Sequence, residues 1–171
     1  AIVFDKTGTV TSGVLSVTRL APAEGVEPSD LLRLAASAEQ NSRHPVAKAV
    51  TEMAKRARVN LATPVEFEEV AGRGVVATFD DGDSVRVGRA SWLAETLGGE
   101  HDIDAAALEV IQSSTEADGL SLLHVVLNGR HIGWIGLEDN ARPEAAGAVD
   151  RLKEMGISRL VLLTGDRTSV A

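Results

Sequence analysis

A carboxylate, a cation and two hydroxyls stand together in the run Asp-Lys-Thr-Gly-Thr at residues 5–9, directly after the apolar residues 1–4. Such an apolar run is typical of a buried parallel strand, whose carboxyl end is where open α/β sheets place ligand chemistry. Gly8 permits a sharp turn that would leave backbone N–H groups facing an anion. A carboxylate among such donors can attack a phosphoryl group. The run predicts Asp5 as a phosphoryl acceptor, against the alternative of a surface turn with a capping Asp.

A second polar run, Thr164-Gly165-Asp166, follows the apolar residues 159–163. Alone it indicates a turn. If the two strands are parallel neighbours, however, their carboxyl ends meet. Thr164 and nearby backbone groups would then surround the same phosphoryl site as Asp5.

The composition limits the classes of protein to which the chain can belong. The chain has 171 residues, 44% of them hydrophobic, and a mean hydropathy of +0.03, which suffices for an ordinary core. A net charge of −8 and a pI near 5.0 argue against a nucleic-acid surface. The chain has no Cys, so disulfides and thiolate metal sites are excluded. No apolar run approaches the roughly 18–20 residues that span a bilayer.

Periodicity and turn signals give the elements that would position these groups. Strands are predicted at residues 1–4, 14–20, 65–70, 74–79, 84–87, 120–127, 131–137 and 159–163. Helices are predicted at residues 28–38, 45–57, 91–97, 103–113 and 143–155. Asp81-Gly82 and Asn128-Gly129 are hairpin turns by composition.

The order of these elements predicts one domain inserted into a loop of another. Parallel-sheet pieces stand at both ends, residues 1–12 and 133–171, and an antiparallel α+β region, residues 13–132, lies between them. The chain opens inside a strand and closes without a helix-stop signal, from which we expect it to be a piece of a longer protein.

The two phosphoryl motifs, in this order, resemble the P-type ATPases, ion pumps that pass through an aspartyl-phosphate. Glu39 and His44 have the spacing of the Ser-Glu-His-Pro segment of the heavy-metal-transporting branch. The Gly-x-Gly at Gly72 and Gly74 and the Val-Gly at Gly88 fit that branch too. So does the segment from Asp139 to Arg142, where the chain re-enters the phosphorylation domain. Arg43, Arg89 and Arg167 depart from the family pattern, and their roles stay open.

The resemblance implies a fold and a set of site residues. The fold would be α/β: a partial haloacid-dehalogenase-like Rossmann phosphorylation domain with an inserted α+β nucleotide-binding domain, an antiparallel sheet flanked by helices. The catalytic residues would be Asp5, Lys6, Thr7, Thr164, Gly165 and Asp166, with Mg²⁺ at Asp5 and Thr7. The nucleotide-binding residues would be Glu39, His44, Gly72, Gly74, Gly88, Asp139 and Arg142.

Some of the nucleotide-binding residues also have a structural interpretation. His44 would cap the helix that Pro45 opens. Gly72 and Gly74 would mark a bulge at the entry to a strand. Asp139 and Arg142 would cap the helix after Pro143.

The resemblance implies that the chain binds ATP or ADP and works with the actuator and transmembrane domains of the same pump. It would be the cytoplasmic-facing part of an integral membrane protein, without inserting into the membrane itself. Alternatives are a soluble phosphatase of the haloacid-dehalogenase type with a large cap, and a nucleotide-binding module inactive in isolation. Such phosphatases carry a second Asp two residues after the nucleophile, where this chain has Thr7, which favours the pump. The transported metal cannot be read here.

Overall fold

The computed structural model of the chain describes residues 1–97, 105–116 and 120–163, except for the side chains of residues 6, 7, 105 and 114–116. It divides into two compact units. One unit contains residues 1–15 and the described residues from Asp139 onward, and the other contains residues 16–138. The predicted boundaries were at residues 12 and 133, so the observed division lies a few residues further along both chain segments.

The strands and helices follow one another along the chain in the order that the periodicity predicts. The strands are β1 (Ile2–Asp5), β2 (Thr11–Pro22), β3 (Glu66–Val70), β4 (Gly74–Thr78), β5 (Ser84–Gly88), β6 (Ser121–Leu127), β7 (Arg130–Ala141) and β8 (Leu160–Leu163). The helices are α1 (Pro28–Glu39), α2 (Pro45–Arg56), α3 (Ala90–Leu97), α4 (Ala105–Glu116) and α5 (Ala145–Glu154). A single π-helical turn, Lys6–Val10, joins β1 to β2.

The first unit is built on a parallel pair of strands, β1 and β8, whose register runs from Ile2 opposite Leu160 to Asp5 opposite Leu163. The predicted parallel pairing of these strands is confirmed. Their predicted burial is wrong for the described residues, since Val3 is 60% and Leu163 62% exposed. Val3, Val161 and Leu163 share one face of this two-stranded sheet, and all three are exposed, so that face is not covered in the described part of the chain.

The second unit contains most of a six-stranded sheet with the order β2-β7-β6-β5-β4-β3. Strands β3 to β7 pair antiparallel, as predicted. The two-residue turn at Asn128-Gly129 is confirmed, with φ of 49° and 80°. A hairpin also joins β4 to β5 at Asp81-Gly82, but the prediction of a two-residue turn is wrong there: the Gly82 N–H donates to the Phe79 carbonyl at 3.0 Å, and of the pair only Gly82 has a positive φ, +88°. Positive φ at both central residues is what a two-residue type I′ turn requires, which explains the Asn-Gly sequence.

Helices cover this sheet and complete its core. Helix α1 buries nearly its whole length, with Leu31 and Ala35 fully inaccessible, and α2 packs against it through a stripe of small residues around Val50. A second cluster joins Trp92 and Leu93 of α3 to Leu108 of α4 and to the sheet. Because aromatic residues are 3% of the chain, aliphatic and Ala side chains supply most of the buried area.

Candidate functional site

Asp5 is the last residue of β1 and an exposed one. The register places it opposite Leu163, the residue that precedes Thr164 in the sequence. The predicted site residues Thr164, Gly165 and Asp166 lie outside the described residues, as do the side chains of Lys6 and Thr7. The part of the site that the structure describes is therefore the carboxylate, the turn after it and the residues that contact that turn.

Gly8 forms the sharp bend in this turn, and its φ of +79° explains why a glycine stands there. Its N–H does not face outward toward an anion, as the sequence analysis expected. It donates to the side-chain oxygen of Thr11 at 3.2 Å, and the Gly8 carbonyl accepts from Arg142 Nη2 at 3.0 Å. The Gly8 N–H is therefore not available to an anion, because a nearby hydroxyl already accepts from it. The expectation for the other backbone N–H groups of the turn stays a prediction.

Asp139 and Arg142 contact the segment that follows Asp5. The Asp139 carboxylate accepts from the Thr11 hydroxyl at 2.6 Å and from the backbone N–H of Gly13 at 3.0 Å. Arg142 donates through Nε to the Thr11 carbonyl at 3.1 Å. Neither residue caps α5, whose N-cap is Glu144, so the capping alternative is wrong for both.

Glu39 is the most unusual carboxyl of the second unit. It is the last residue of α1 and only 4% exposed, and no basic residue stands in the last turn of that helix. Burial raises the pKa of Glu39 from 4.5 to about 7, and the negative charge of Glu69 also raises it. The negative end of the helix dipole disfavours a carboxylate at this position as well. Glu39 is thus a buried acid that titrates near neutral pH, and carboxyls with such perturbed pKa values cluster at functional sites.

His44 is exposed and caps α2: its Nδ1 accepts from the N–H of Val46 at 3.3 Å. The backbone N–H of His44 donates to Ser42 Oγ at 3.1 Å. The structural alternative for His44 is therefore confirmed. A ligand contact through Nε2 is compatible with it, because the cap uses only Nδ1. The nucleotide role of His44 stays a prediction.

Two of the three predicted nucleotide-binding glycines have a packing role. Gly74 and Gly88 are cross-strand partners, and the indole of Trp92 lies against both. A Cβ on Gly74 would collide with the Val87 carbonyl oxygen, and one on Gly88 would collide with the indole. Gly72 differs: it has a φ of +70° and open space around the position of a Cβ.

The sequence analysis missed a pair of histidines. His124 Nδ1 lies 3.2 Å from His131 Nε2, and His124 is fully buried. Burial lowers the pKa of His124 to about 4, and burial also lowers that of His131. The Asn128-Gly129 turn was the available signal, because a hairpin brings diagonal cross-strand residues together.

The described residues hold neither a metal cluster nor a membrane-spanning helix. Neither histidines nor carboxylates gather there in groups of three or more that could hold a metal ion. Within the same residues, every helix is too short or too polar to cross a bilayer.

A family model and the sequence relatives of the chain point to the same kind of protein. A model of the haloacid dehalogenase-like hydrolase family matches residues 1–171. The chain is 39% identical over 166 residues to a probable copper-exporting P-type ATPase of Archaeoglobus fulgidus, covering 97% of this chain and 19% of that protein. The chain thus spans about a fifth of the length of this relative.

Solved structures agree with the sequence relatives. A zinc-transporting PIB-type ATPase matches with a TM-score of 0.78 and 33% identity, over 98% of this chain and 26% of that one. The catalytic domain of the CPx-ATPase CopB-B, in a structure on conformational changes upon nucleotide binding, matches with a TM-score of 0.69 and 26% identity. That match covers 98% of this chain and 55% of the other. The resemblance to heavy-metal P-type ATPases is confirmed.

Proposed function

The chain belongs to the haloacid dehalogenase-like hydrolases, and from this premise we propose that it is the ATP-binding catalytic part of a P-type ATPase that transports a heavy or transition metal. One observation carries the proposal. Asp5 stands at the carboxyl end of β1, and β8 lies parallel beside it and ends where the Thr-Gly-Asp run begins. Carboxyl ends of parallel strands are where open α/β folds place their chemistry.

In the proposed reaction the Asp5 carboxylate attacks the γ-phosphorus of ATP. The bond between that phosphorus and the bridging oxygen of the β-phosphate breaks, and ADP leaves with the electron pair. Lys6, Thr7 and Thr164 would stabilise the transferring phosphoryl group, with backbone donors from Gly165 and Asp166. The exposed Asp5 carboxylate is a hard oxygen ligand that suits Mg²⁺, which proteins bind through one or two carboxylates and substrate phosphates. With Thr7 it would hold that ion, whose charge would neutralise phosphate oxygens.

The nucleotide-binding role belongs in the unit of residues 16–138. Glu39 and His44 would contact the adenine, and Gly72 would let the backbone approach the nucleotide. The buried acid at Glu39 and the capped, exposed imidazole of His44 support this assignment. The first unit would be the incomplete phosphorylation domain. Partners would be the actuator and transmembrane domains of the same pump, and the chain would face the cytoplasm.

The residue two positions after Asp5 distinguishes this chain from a soluble phosphatase of the haloacid-dehalogenase type, because it is Thr7 and not a second Asp. A hydroxyl at Thr7 cannot act as a carboxylate base on an attacking water. The phosphoenzyme should therefore persist until another domain brings its own base. A phosphatase would instead hydrolyse its intermediate within the same domain.

Two measurements test this function. Titration of the chain with ATP should change the amide chemical shifts of residues near Glu39 and His44. The Kd should be micromolar to millimolar, which is a binding free energy of about −4 to −8 kcal/mol. The full-length protein that carries the chain, in vesicles, should hydrolyse ATP faster when its metal is present. Rapid hydrolysis of p-nitrophenyl phosphate by the chain alone, with no response to ATP, would contradict the pump and favour the phosphatase.

A further inference from the structure

The turn after Asp5 is held by residues outside it. It is a π-helical turn of five residues, and such turns are rare and frequently occur at functional sites. The backbone N–H of Gly8 is bound by Thr11, and its carbonyl is bound by Arg142. The backbone N–H of Arg142 also donates to the Val10 carbonyl at 2.8 Å. Three backbone groups of the turn thus have fixed partners.

Asp139 determines the direction of one of these bonds. A Thr hydroxyl has one proton, and at Thr11 that proton is donated to the Asp139 carboxylate at 2.6 Å. The lone pairs of the Thr11 oxygen therefore remain to accept the Gly8 N–H. Thr11 is 4% exposed, so water cannot easily replace either partner. Because its acceptor is charged, this bond is stronger than a neutral one.

We propose that Thr11, Asp139 and Arg142 are positioning residues that hold the turn after Asp5 in the geometry required for phosphoryl transfer. The inference rests on the proposed function. It gives Asp139 and Arg142 a role different from the nucleotide contact that the family resemblance implies. Both carboxylate oxygens of Asp139 already have donors, and a carboxylate beside a triphosphate would repel it.

Positioning and nucleotide contact predict different kinetics. A positioning residue affects the rate of phosphorylation at saturating ATP, because a displacement of about 1 Å at the reacting atom can cost about 100-fold in rate. A residue that contacts the nucleotide affects its affinity, and saturating ATP then restores the rate.

The test uses the full-length protein, with phosphorylation at saturating ATP measured by rapid quench and ADP affinity by equilibrium binding. Thr11→Val is nearly isosteric but removes the hydroxyl, and Thr11→Ser restores it. Asp139→Asn keeps the shape of the acceptor but removes its charge. The matched control is Thr18→Val, an exposed threonine elsewhere on β2.

Thr11→Val and Asp139→Asn should lower the saturating rate by about 10- to 100-fold with unchanged ADP affinity. Thr11→Ser should recover most of the rate, and Thr18→Val should match the wild type. The inference is overturned by unchanged rates, by an equal loss in Thr11→Ser, or by weakened ADP binding whose rate recovers at high ATP. A wild-type protein that forms no phosphoenzyme contradicts the proposed function, and this inference with it.

Discussion

At the scale of single residues, Glu39 combines a proposed role in nucleotide binding with a cost in stability. Its carboxyl is buried at the negative end of a helix and beside another acid. Folding alone gives no reason to place an acid there, because a neutral side chain of the same shape would avoid the desolvation. A residue that opposes stability in this way is typical of a functional site.

Glu39→Gln should therefore make the folded chain more stable at high pH. The folded state has the raised pKa, about 7 against 4.5, so it binds more protons than the unfolded state between these values. The contribution of Glu39 to stability is then lost as pH rises from 4.5 through 7, by up to about 3 kcal/mol. Because buried histidines contribute with the opposite sign in this range, the test is the difference between variants: from pH 5 to pH 8 the free energy of unfolding of Glu39→Gln should rise relative to that of the wild type. The exposed control Glu24→Gln should behave like the wild type.

A substitution of His44 can separate its role as the N-cap of α2 from its proposed contact with the nucleotide. Asn is a good N-cap residue, and its side-chain oxygen can accept the Val46 N–H in place of Nδ1. His44→Asn should keep the melting temperature while weakening ATP binding by about 1–3 kcal/mol through the lost ring contact. Calorimetric titration together with thermal unfolding checks both parts. Unchanged ATP affinity would leave His44 as a cap and nothing more.

At the scale of elements, α3 packs against β4 and β5 through the indole of Trp92, which lies against Gly74 and Gly88. Gly74→Ala should destabilise the chain by about 1–3 kcal/mol, because the added methyl meets the Val87 carbonyl, a backbone atom that cannot swing away. The matched control is Gly147→Ala in α5, where a Cβ meets nothing within 4 Å and Ala should be neutral or stabilising. Chemical denaturation measures both variants. An equally small effect in both would show that Trp92 does not need the glycine.

The β6–β7 hairpin carries a pH dependence of the opposite sign to that of Glu39. His124 has its pKa lowered to about 4 in the folded state, so the unfolded state binds more protons between pH 4 and 6.5. The contribution of His124 to stability should fall as pH drops from 6.5 toward 4, by up to about 3 kcal/mol. His124→Phe should flatten this part of the profile. If the wild type and the variant have parallel profiles, the histidine pair does not respond to pH in this range.

Most elements could be predicted from the sequence because their signals are local. The Asn128-Gly129 turn, the proline at the start of α2 and the apolar stripe of that helix each lie within a few residues. Strands β2 and β7 extend beyond their predicted ends because their outer residues lack the apolar pattern of a strand and pair with a distant partner.

In the candidate site, too, local motifs could be predicted from the sequence and contacts between distant residues could not. The Asp5 motif and the order of the two phosphoryl runs were readable, since residue type and spacing carry that chemistry. The contact between Thr11 and Asp139 joins residues 128 positions apart, and neither residue type predicts it. The packing of the Trp92 indole on Gly74 could not be predicted either, because these residues are also distant in the sequence. The Gly-x-Gly run predicted a nucleotide contact instead.

At the scale of the whole molecule, the account divides one reaction between two units. Residues 1–15 with those from Asp139 onward would accept the phosphoryl group, and residues 16–138 would bind the nucleotide. A change in one unit should therefore leave the function of the other intact. That independence is the property that a direct labelling experiment can examine.

Trapping of the phosphoenzyme from γ-labelled ATP in the full-length protein, with Asp5→Asn as the variant, tests the central claim most directly. The wild type should retain acid-stable label that hydroxylamine releases, as an acyl phosphate does. Asp5→Asn should retain none while binding ADP with wild-type affinity, because an amide cannot take the phosphoryl group yet preserves the shape of the side chain. Label that persists in Asp5→Asn would contradict the account, since another residue would then carry the phosphoryl group.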